Sequence, residues 1–222
     1  MAEYIQRYSK RNDGDMRTSN LRETFLAHAG LSKSDLVLAQ QIHGNAIGVV
    51  SRNDRGQVVP SVDGLVSSDC EVVLGVRVAD CVPILLTDPV HHILGVAHAG
   101  WRGTMKNIAG NVVAAMKHMG ANVADIVVSI GPHIGMCCYD VSRERAGKFR
   151  DVFDSGHASE IGGKWYLDLG AINRMSLLQA GILSQHIQAP VVCTSCRHQD
   201  YFSFRKDSKD TFGEIMGVVA WK

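Results

Sequence analysis

The chain has 222 residues, 45% of them hydrophobic and 20% charged, which is enough apolar mass for one large core. Its formal net charge of +1 offers no field to gather a polyanion, so nucleic acid is not an expected partner. No apolar run is long enough to span a bilayer, and the start, Met1-Ala2-Glu3-Tyr4-Ile5-Gln6-Arg7, lacks the apolar stretch of a secretory signal. The six cysteines are therefore expected as reduced thiols or metal ligands of a cytoplasmic protein without a membrane partner.

No linker or low-complexity stretch divides the sequence, so residues 1–222 are read as a single domain. A first helix is predicted from Asn20 to Gly30, with Asn20 and Glu23 as a capping box and Gly30 as its stop. Short β-rich runs follow at Leu36 to Gln40, Ala46 to Val50, Val62 to Ser67, Val72 to Val78, Val82 to Thr87 and Ile93 to His98. Several lack polar alternation, which predicts strands covered on both faces. A second helix is predicted from Thr104 to Gly120, striped by Ile108, Val112, Ala115, Met116 and Met119. Asp125 to Ile130 reads as a buried strand. Ser142 to Phe153 and Asp168 to Gly181 read as helices, the latter striped by Leu169, Ile172, Met175 and Leu178. The last strands are predicted at Ile187 to Cys193 and Ile215 to Trp221. Strands and helices mix without strict alternation, which argues for an α+β layered fold with mixed β-sheets.

Three residues far apart in the chain carry most of the chemistry. His43 precedes Gly44, Cys81 follows Asp80 between two apolar runs, and His98 ends an apolar strand before Ala99-Gly100-Trp101-Arg102-Gly103. Two imidazoles and one thiolate are three ligands for a borderline metal with a fourth position open, the stoichiometry of a catalytic rather than a structural zinc. Each has a plainer reading alone: a strand-end histidine, a buried core cysteine, a turn histidine. Asp80 is costly to bury without a partner, and beside a thiolate-bound metal it is a candidate proton shuttle. Arg102 and a helix N-terminus near Thr104 are candidates for an anion cradle.

Other clusters compete. Cys193-x-x-Cys196, with His198 close behind, is one half of a structural zinc site. Its candidate partners, Cys137 and Cys138, are adjacent, which is poor spacing for two ligands on one tetrahedral ion. His91 and His92 follow a turn and read as solvated surface. Tyr201 to Asp207 reads equally as a base-stacking and phosphate-clamping segment or as a half-buried strand with Phe202 and Phe204 inward and Arg205 at its end.

Taken together these motifs resemble the YfiH family, labelled multicopper polyphenol oxidase or laccase-domain proteins and later recognised as purine nucleoside phosphorylases. The matching pieces are Gln41-Ile42-His43-Gly44, Asp63-Gly64-Leu65-Val66, Ala79-Asp80-Cys81-Val82-Pro83 and Ala97-His98-Ala99-Gly100-Trp101-Arg102-Gly103. Further on they include Ile130-Gly131-Pro132-His133-Ile134-Gly135-Met136-Cys137-Cys138-Tyr139, Tyr166-Leu167-Asp168-Leu169, Cys193-Thr194-Ser195-Cys196 and Phe202-Ser203-Phe204-Arg205-Lys206-Asp207. The resemblance implies that His43, Cys81 and His98 bind zinc, with copper as the other metal to consider. It implies phosphorolysis of adenosine, inosine and 5'-methylthioadenosine, with hydrolytic adenosine deamination, so that purine nucleosides and phosphate are the expected small-molecule partners. It also implies a four-layer α/β/β/α sandwich, similar to the deamidase domain of the cytotoxic necrotizing toxins. Against the family pattern the N-terminal region is short, with Arg11-Asn12-Asp13-Gly14-Asp15 as the remnant of a Gly-rich loop.

Phosphorolysis needs a phosphate cradle, a way to quench charge on the departing purine, and exclusion of water. Asp80, Cys81 and Arg102 are the expected catalytic residues. A copper-dependent polyphenol oxidase is one rival, but the paired His-x-His motifs of multicopper centres are absent. The other is a cysteine- or metal-dependent hydrolase, for example one that edits peptidoglycan precursors, with Cys81 as nucleophile. A zinc-dependent interaction module is a third, and the oligomeric state stays open.

Overall fold

The computed structural model describes residues 3–153, 155–208 and 210–222; Met1 and Ala2, at the start expected to lack a secretory signal, lie outside them. The first half runs β1 (Tyr4–Tyr8), α1 (Ser19–Ala27), β2 (Leu36–Ala39), β3 (Ile47–Val49), β4 (Val58–Val59), β5 (Gly64–Ser67), β6 (Val73–Val78), β7 (Val82–Asp88) and β8 (Ile93–Ala99). The second runs α2 (Trp101–Met105), α3 (Ile108–His118), β9 (Val127–Ile130), β10 (Asp140–Val141), α4 (Arg143–Val152), β11 (Ala158–Ile161), β12 (Lys164–Leu167), α5 (Leu169–Gln179), β13 (Ile187–Gln188) and β14 (Ile215–Trp221).

Two mixed sheets lie face to face, in strand orders β1-β14-β6-β2-β4 and β13-β9-β7-β8-β5-β3, and a small sheet β10-β12-β11 lies beside them. Because side chains alternate across a strand, each central strand serves two apolar layers. In β2, Leu36 and Leu38 pack with Phe25 and Leu26 of α1, while Val37 and Ala39 join the layer between the sheets. In β8, Leu94 and Val96 enter that middle layer, while Ile93 and Ala97 meet Ile108, Val112 and Met116 of α3 and Ile172 of α5. The chain is thus an α+β, four-layer α/β/β/α sandwich with mixed sheets. Every residue of β7 and β8 is buried, as their unbroken apolar runs predict.

Several elements differ from the sequence reading, each for a local reason. The helix expected from Thr104 to Gly120 is two: α2 starts earlier, at Trp101, and the chain breaks at Asn107, which takes φ +57° and caps α3 by accepting from the Gly110 N–H. Asparagine tolerates the left-handed region and makes such a local bond better than other side chains. Helix α1 begins after Thr18 without a side-chain cap, so Asn20 and Glu23 form no capping box there. On α5 the large apolar side chains that are buried are Leu169, Ile172 and Leu177, not Met175 and Leu178. The strand expected to reach Cys193 stops at Gln188, ahead of Ala189-Pro190, and Cys193 forms an isolated parallel bridge with His133. Strand β1 pairs along its length with β14. The hairpin β11–β12 turns through Gly162 and Gly163, both at positive φ, as a two-residue hairpin loop requires.

Candidate metal centre and substrate cavity

The antiparallel pairing of β7 with β8 sets Pro83 opposite His98, so Cys81, just ahead of β7, comes beside the end of β8. His43 arrives from the β2–β3 connection. One ligand atom from each of His43, Cys81 and His98 lies within 4.8 Å of the others. The two imidazole rings are 4.9 Å apart, centroid to centroid. His98 is buried, Cys81 half-buried and His43 exposed, so the cluster opens to solvent on one side.

Asp63 organises this cluster, and the sequence reading gave it no role. Strand β5 pairs antiparallel with β8, Gly64 opposite Ala97, which brings the preceding Asp63 to His98. Its carboxylate lies 2.9 Å from His98 Nδ1, leaving Nε2 for the cluster. The same carboxylate accepts the backbone N–H groups of Ile42 (3.2 Å), His43 (2.9 Å) and Gly44 (2.7 Å). Burial pushes the Asp63 carboxyl up, but the His98 ring and the N–H donors outweigh it and hold the group below the usual carboxylate range. Burial would lower His98, but the Cys81 thiolate and Asp63 raise it to about 9. Burial would likewise raise Cys81, but His98 and His43 bring it down to about 7.

The donor set fits a metal ion. Cys81 is inclined to the thiolate, and Asp63 fixes the orientation of one imidazole, as carboxylates do for metal-binding histidines. Gly100 sits against the cluster: a Cβ there would lie 3.0 Å from His43 Nδ1 and 3.1 Å from Cys81 Sγ. Backbone strain gathers at the same place, where Gln41, His43 and Asp80 all take positive φ.

Two cavities meet at His43 and Cys81. One, of about 280 Å³, is lined by Trp101, Arg102, Tyr139, Arg145, Phe204 and Arg205. The other, of about 310 Å³, is lined by Gln41, Arg77, Phe204, Phe212 and Glu214. Arg102 and Arg145 stack on the Trp101 ring at 4.6 and 4.3 Å, and neither has a carboxylate partner among the described residues. Arg205 is held by Asp140.

Asp80 is buried, with Oδ1 accepting from Thr194 Oγ1 at 2.6 Å and Oδ2 accepting from the Arg205 N–H at 2.7 Å. Each oxygen accepts one hydrogen bond, which ties the residue ahead of Cys81 to the Thr194 and Arg205 segments. Thr104 moves from its expected role. Its N–H is bonded to the Gly100 carbonyl and its hydroxyl accepts from Asn173, so it is a packed residue inside α2 and not a helix start. The Tyr201–Asp207 segment forms no strand. Phe202 is buried, whereas Phe204 is 72% exposed and overhangs both cavities. His91 and His92 are exposed, as expected.

The adjacent Cys137 and Cys138 do reach the CxxC pair. All four sulfurs of Cys137, Cys138, Cys193 and Cys196 lie within 4.8 Å of one another, contrary to the argument from linear spacing. The pairing of His133 with Cys193 carries the two loops together.

A family model described as multi-copper polyphenol oxidoreductase laccase matches residues 7–222. The purine nucleoside phosphorylase YlmD of Geobacillus stearothermophilus is 36% identical, over 93% of this chain and 80% of its own length. The adenosine deaminase RL5, from an unknown prokaryotic organism, is 34% identical over 87% of this chain and 78% of its own. The crystal structure of the Geobacillus YlmD superimposes with a TM-score of 0.90 at 32% identity, covering 99% of this chain and 92% of that one. The hypothetical protein YfiH of Bacillus licheniformis gives 0.86 at 33% identity, covering 92% and 80%.

Proposed function

The chain belongs to the multi-copper polyphenol oxidoreductase laccase family, and on that premise we propose that it is a zinc-dependent purine nucleoside phosphorylase that also deaminates adenosine. Adenosine, inosine and 5'-methylthioadenosine are its proposed substrates, with phosphate as the second reactant. The observation that carries the reading is the convergence of His43, Cys81 and His98 where the two cavities meet. Zinc suits two imidazoles and a thiolate, and the chain has no His-x-His pair of the kind that builds multicopper centres. When bound, the ion supplies Lewis acidity and an acidified water.

The remaining groups have distinct tasks. The cationic cavity takes phosphate: among the described residues no carboxylate engages the Arg102 and Arg145 guanidiniums, whose planes rest on Trp101. Phe204 offers a flat apolar face on which a purine stacks. With the ion bound, His98 would be neutral, its remaining proton held at Nδ1 by Asp63 and its Nε2 kept for the ion. Asp80 fixes the turn that presents Cys81, through Thr194 and the Arg205 backbone. Single replacement of His43, Cys81 or His98 by alanine is expected to remove the zinc of this centre and adenosine turnover together; undiminished zinc content and turnover in all three variants would refute the assignment.

One observation favours a second reading. Cys81, His98 and Asp63 line up as a thiol, an imidazole and a carboxylate, the order of a cysteine hydrolase triad. Under that reading a thiol alkylator abolishes activity and a chelator leaves it intact; under the metal reading the chelator abolishes it and zinc restores it.

A further inference from the structure

We propose that Cys137, Cys138, Cys193 and Cys196 form a second, structural zinc site that clamps the wall of the substrate cavity. Four thiols rarely gather without a covalent or metal partner, because S–H groups are weak donors that gain little from one another. Here Cys196 Sγ lies 3.5 Å from Cys137 Sγ and 3.4 Å from Cys138 Sγ. These separations are far beyond a disulfide bond of about 2.05 Å. They are close to the edge of an S₄ tetrahedron, about 3.8 Å for zinc–sulfur bonds of about 2.3 Å. Two backbone donors already point at one sulfur: the N–H groups of Gly135 and Cys196 reach Cys193 Sγ at 3.2 and 3.5 Å. Such N–H···S bonds favour a thiolate, the form a metal binds. An all-sulfur tetrahedron leaves no open position, so this ion is structural where the His43–Cys81–His98 ion is catalytic.

The fold gives the clamp a purpose. The two loops it joins are otherwise linked by two backbone hydrogen bonds, His133 N–H to Val192 and Thr194 N–H to His133. One loop places Ile134 and Tyr139 in the cationic cavity. Both loops hold Asp80, through the Ile134 N–H to its carbonyl and the Thr194 hydroxyl to its carboxylate. Zinc on the four sulfurs therefore fixes the residue that precedes Cys81.

The test exploits an internal control. Cys70, Cys137 and Cys196 are all exposed free thiols. In zinc-loaded native protein, brief alkylation followed by peptide mass spectrometry is expected to label Cys70 and spare Cys137 and Cys196; a strong chelator is expected to release them. Metal analysis is expected to find about two zinc ions per chain, about one in His43→Ala and about one in Cys196→Ser. His43→Ala keeps the sulfur cluster whole, so its remaining zinc separates this proposal from the fate of the catalytic site. Equal labelling of Cys70, Cys137 and Cys196 in the zinc-loaded protein, a disulfide among the four cysteines, iron in place of zinc, or loss of all zinc from His43→Ala would each overturn it.

Discussion

Exchanging Asp63 for asparagine changes little volume and puts the organising role of this carboxylate to the test. The aspartate accepts four hydrogen bonds, from the His98 ring and from the Ile42, His43 and Gly44 N–H groups. Asparagine has one acceptor oxygen and an NH₂ group. If the amide oxygen takes the place of Oδ2 it keeps Ile42 and Gly44, and the NH₂ group faces the His43 N–H and His98 Nδ1–H, donor against donor; if it takes the place of Oδ1 it keeps His43 and His98, and the NH₂ group faces the Ile42 and Gly44 N–H groups. Leaving a buried donor unpaired costs about 1–3 kcal/mol. For a chain of this size that is a fall in Tm of roughly 2–4 °C per kcal/mol. The imidazole also escapes by moving its proton to Nε2, the atom it needs for the metal. Loss of such an orienting carboxylate weakens metal binding about 10- to 100-fold, or ~1.4–2.7 kcal/mol. Competition with a chromophoric zinc chelator measures the second effect and calorimetric unfolding the first. A variant that folds, melts as the wild type does and binds zinc within twofold of it would refute the role given to Asp63.

Other consequences follow from the same geometry. Gly100→Ala places a methyl 3.0 Å from His43 Nδ1 and 3.1 Å from Cys81 Sγ, and is expected to lower zinc occupancy of the His43–Cys81–His98 centre and turnover at least tenfold while far-ultraviolet circular dichroism stays unchanged; full occupancy of that centre would contradict the close approach. Arg102→Ala removes a free guanidinium worth about 1.5–3 kcal/mol to a bound anion, so the KM for phosphate is expected to rise about 10- to 100-fold with little change in deamination. Equal loss of the two activities would make Arg102 a structural residue. Asp88 is fully buried; burial opposes its ionisation, but the N–H groups of His91, Asn122 and Val90 outweigh that and hold its carboxyl below the ordinary range. A depressed folded pKa gives stability that is present above the unfolded value of about 3.9 and is lost as pH falls below it. Asp88→Asn is thus expected to cost about 1–3 kcal/mol at neutral pH and to flatten the acid limb of the stability curve, measured by urea unfolding from pH 6 to 3; an unchanged acid limb would refute this.

The central layers were legible because their signals are local. The apolar runs within the predicted strands Val82 to Thr87 and Ile93 to His98 demand cover on both faces, and β7 and β8, which contain them, form the heart of the sandwich. The individual ligands His43, Cys81 and His98 stood out through their settings, Gly44 after the first, Asp80 before the second and Gly100 after the third. Asp63 did not, because its partner lies 35 residues away and meets it only through the β5–β8 register. Thr104 was misplaced for a similar reason: Asn173, which fills its hydroxyl, comes from a helix 69 residues on. The four-cysteine cluster was hidden by treating Cys137-Cys138 as a spacing problem along the chain, when a bridge from His133 to Cys193 decides where those sulfurs go. Period-two alternation at Tyr201–Asp207 suggested a strand, but the Asp207 carboxylate accepts the Ser203 N–H and pairs with Arg11, which curls the segment and turns Phe204 outward.

Mass spectrometry of products from adenosine, with and without phosphate, on zinc-loaded and chelator-stripped protein tests the proposed chemistry most directly. The expected result is adenine and ribose 1-phosphate when phosphate is present, inosine when it is absent, and neither after the metal is removed until zinc is restored. Turnover that persists in metal-free protein, or zinc-loaded protein that leaves adenosine untouched in both conditions, would contradict a metal-dependent phosphorylase built on His43, Cys81 and His98.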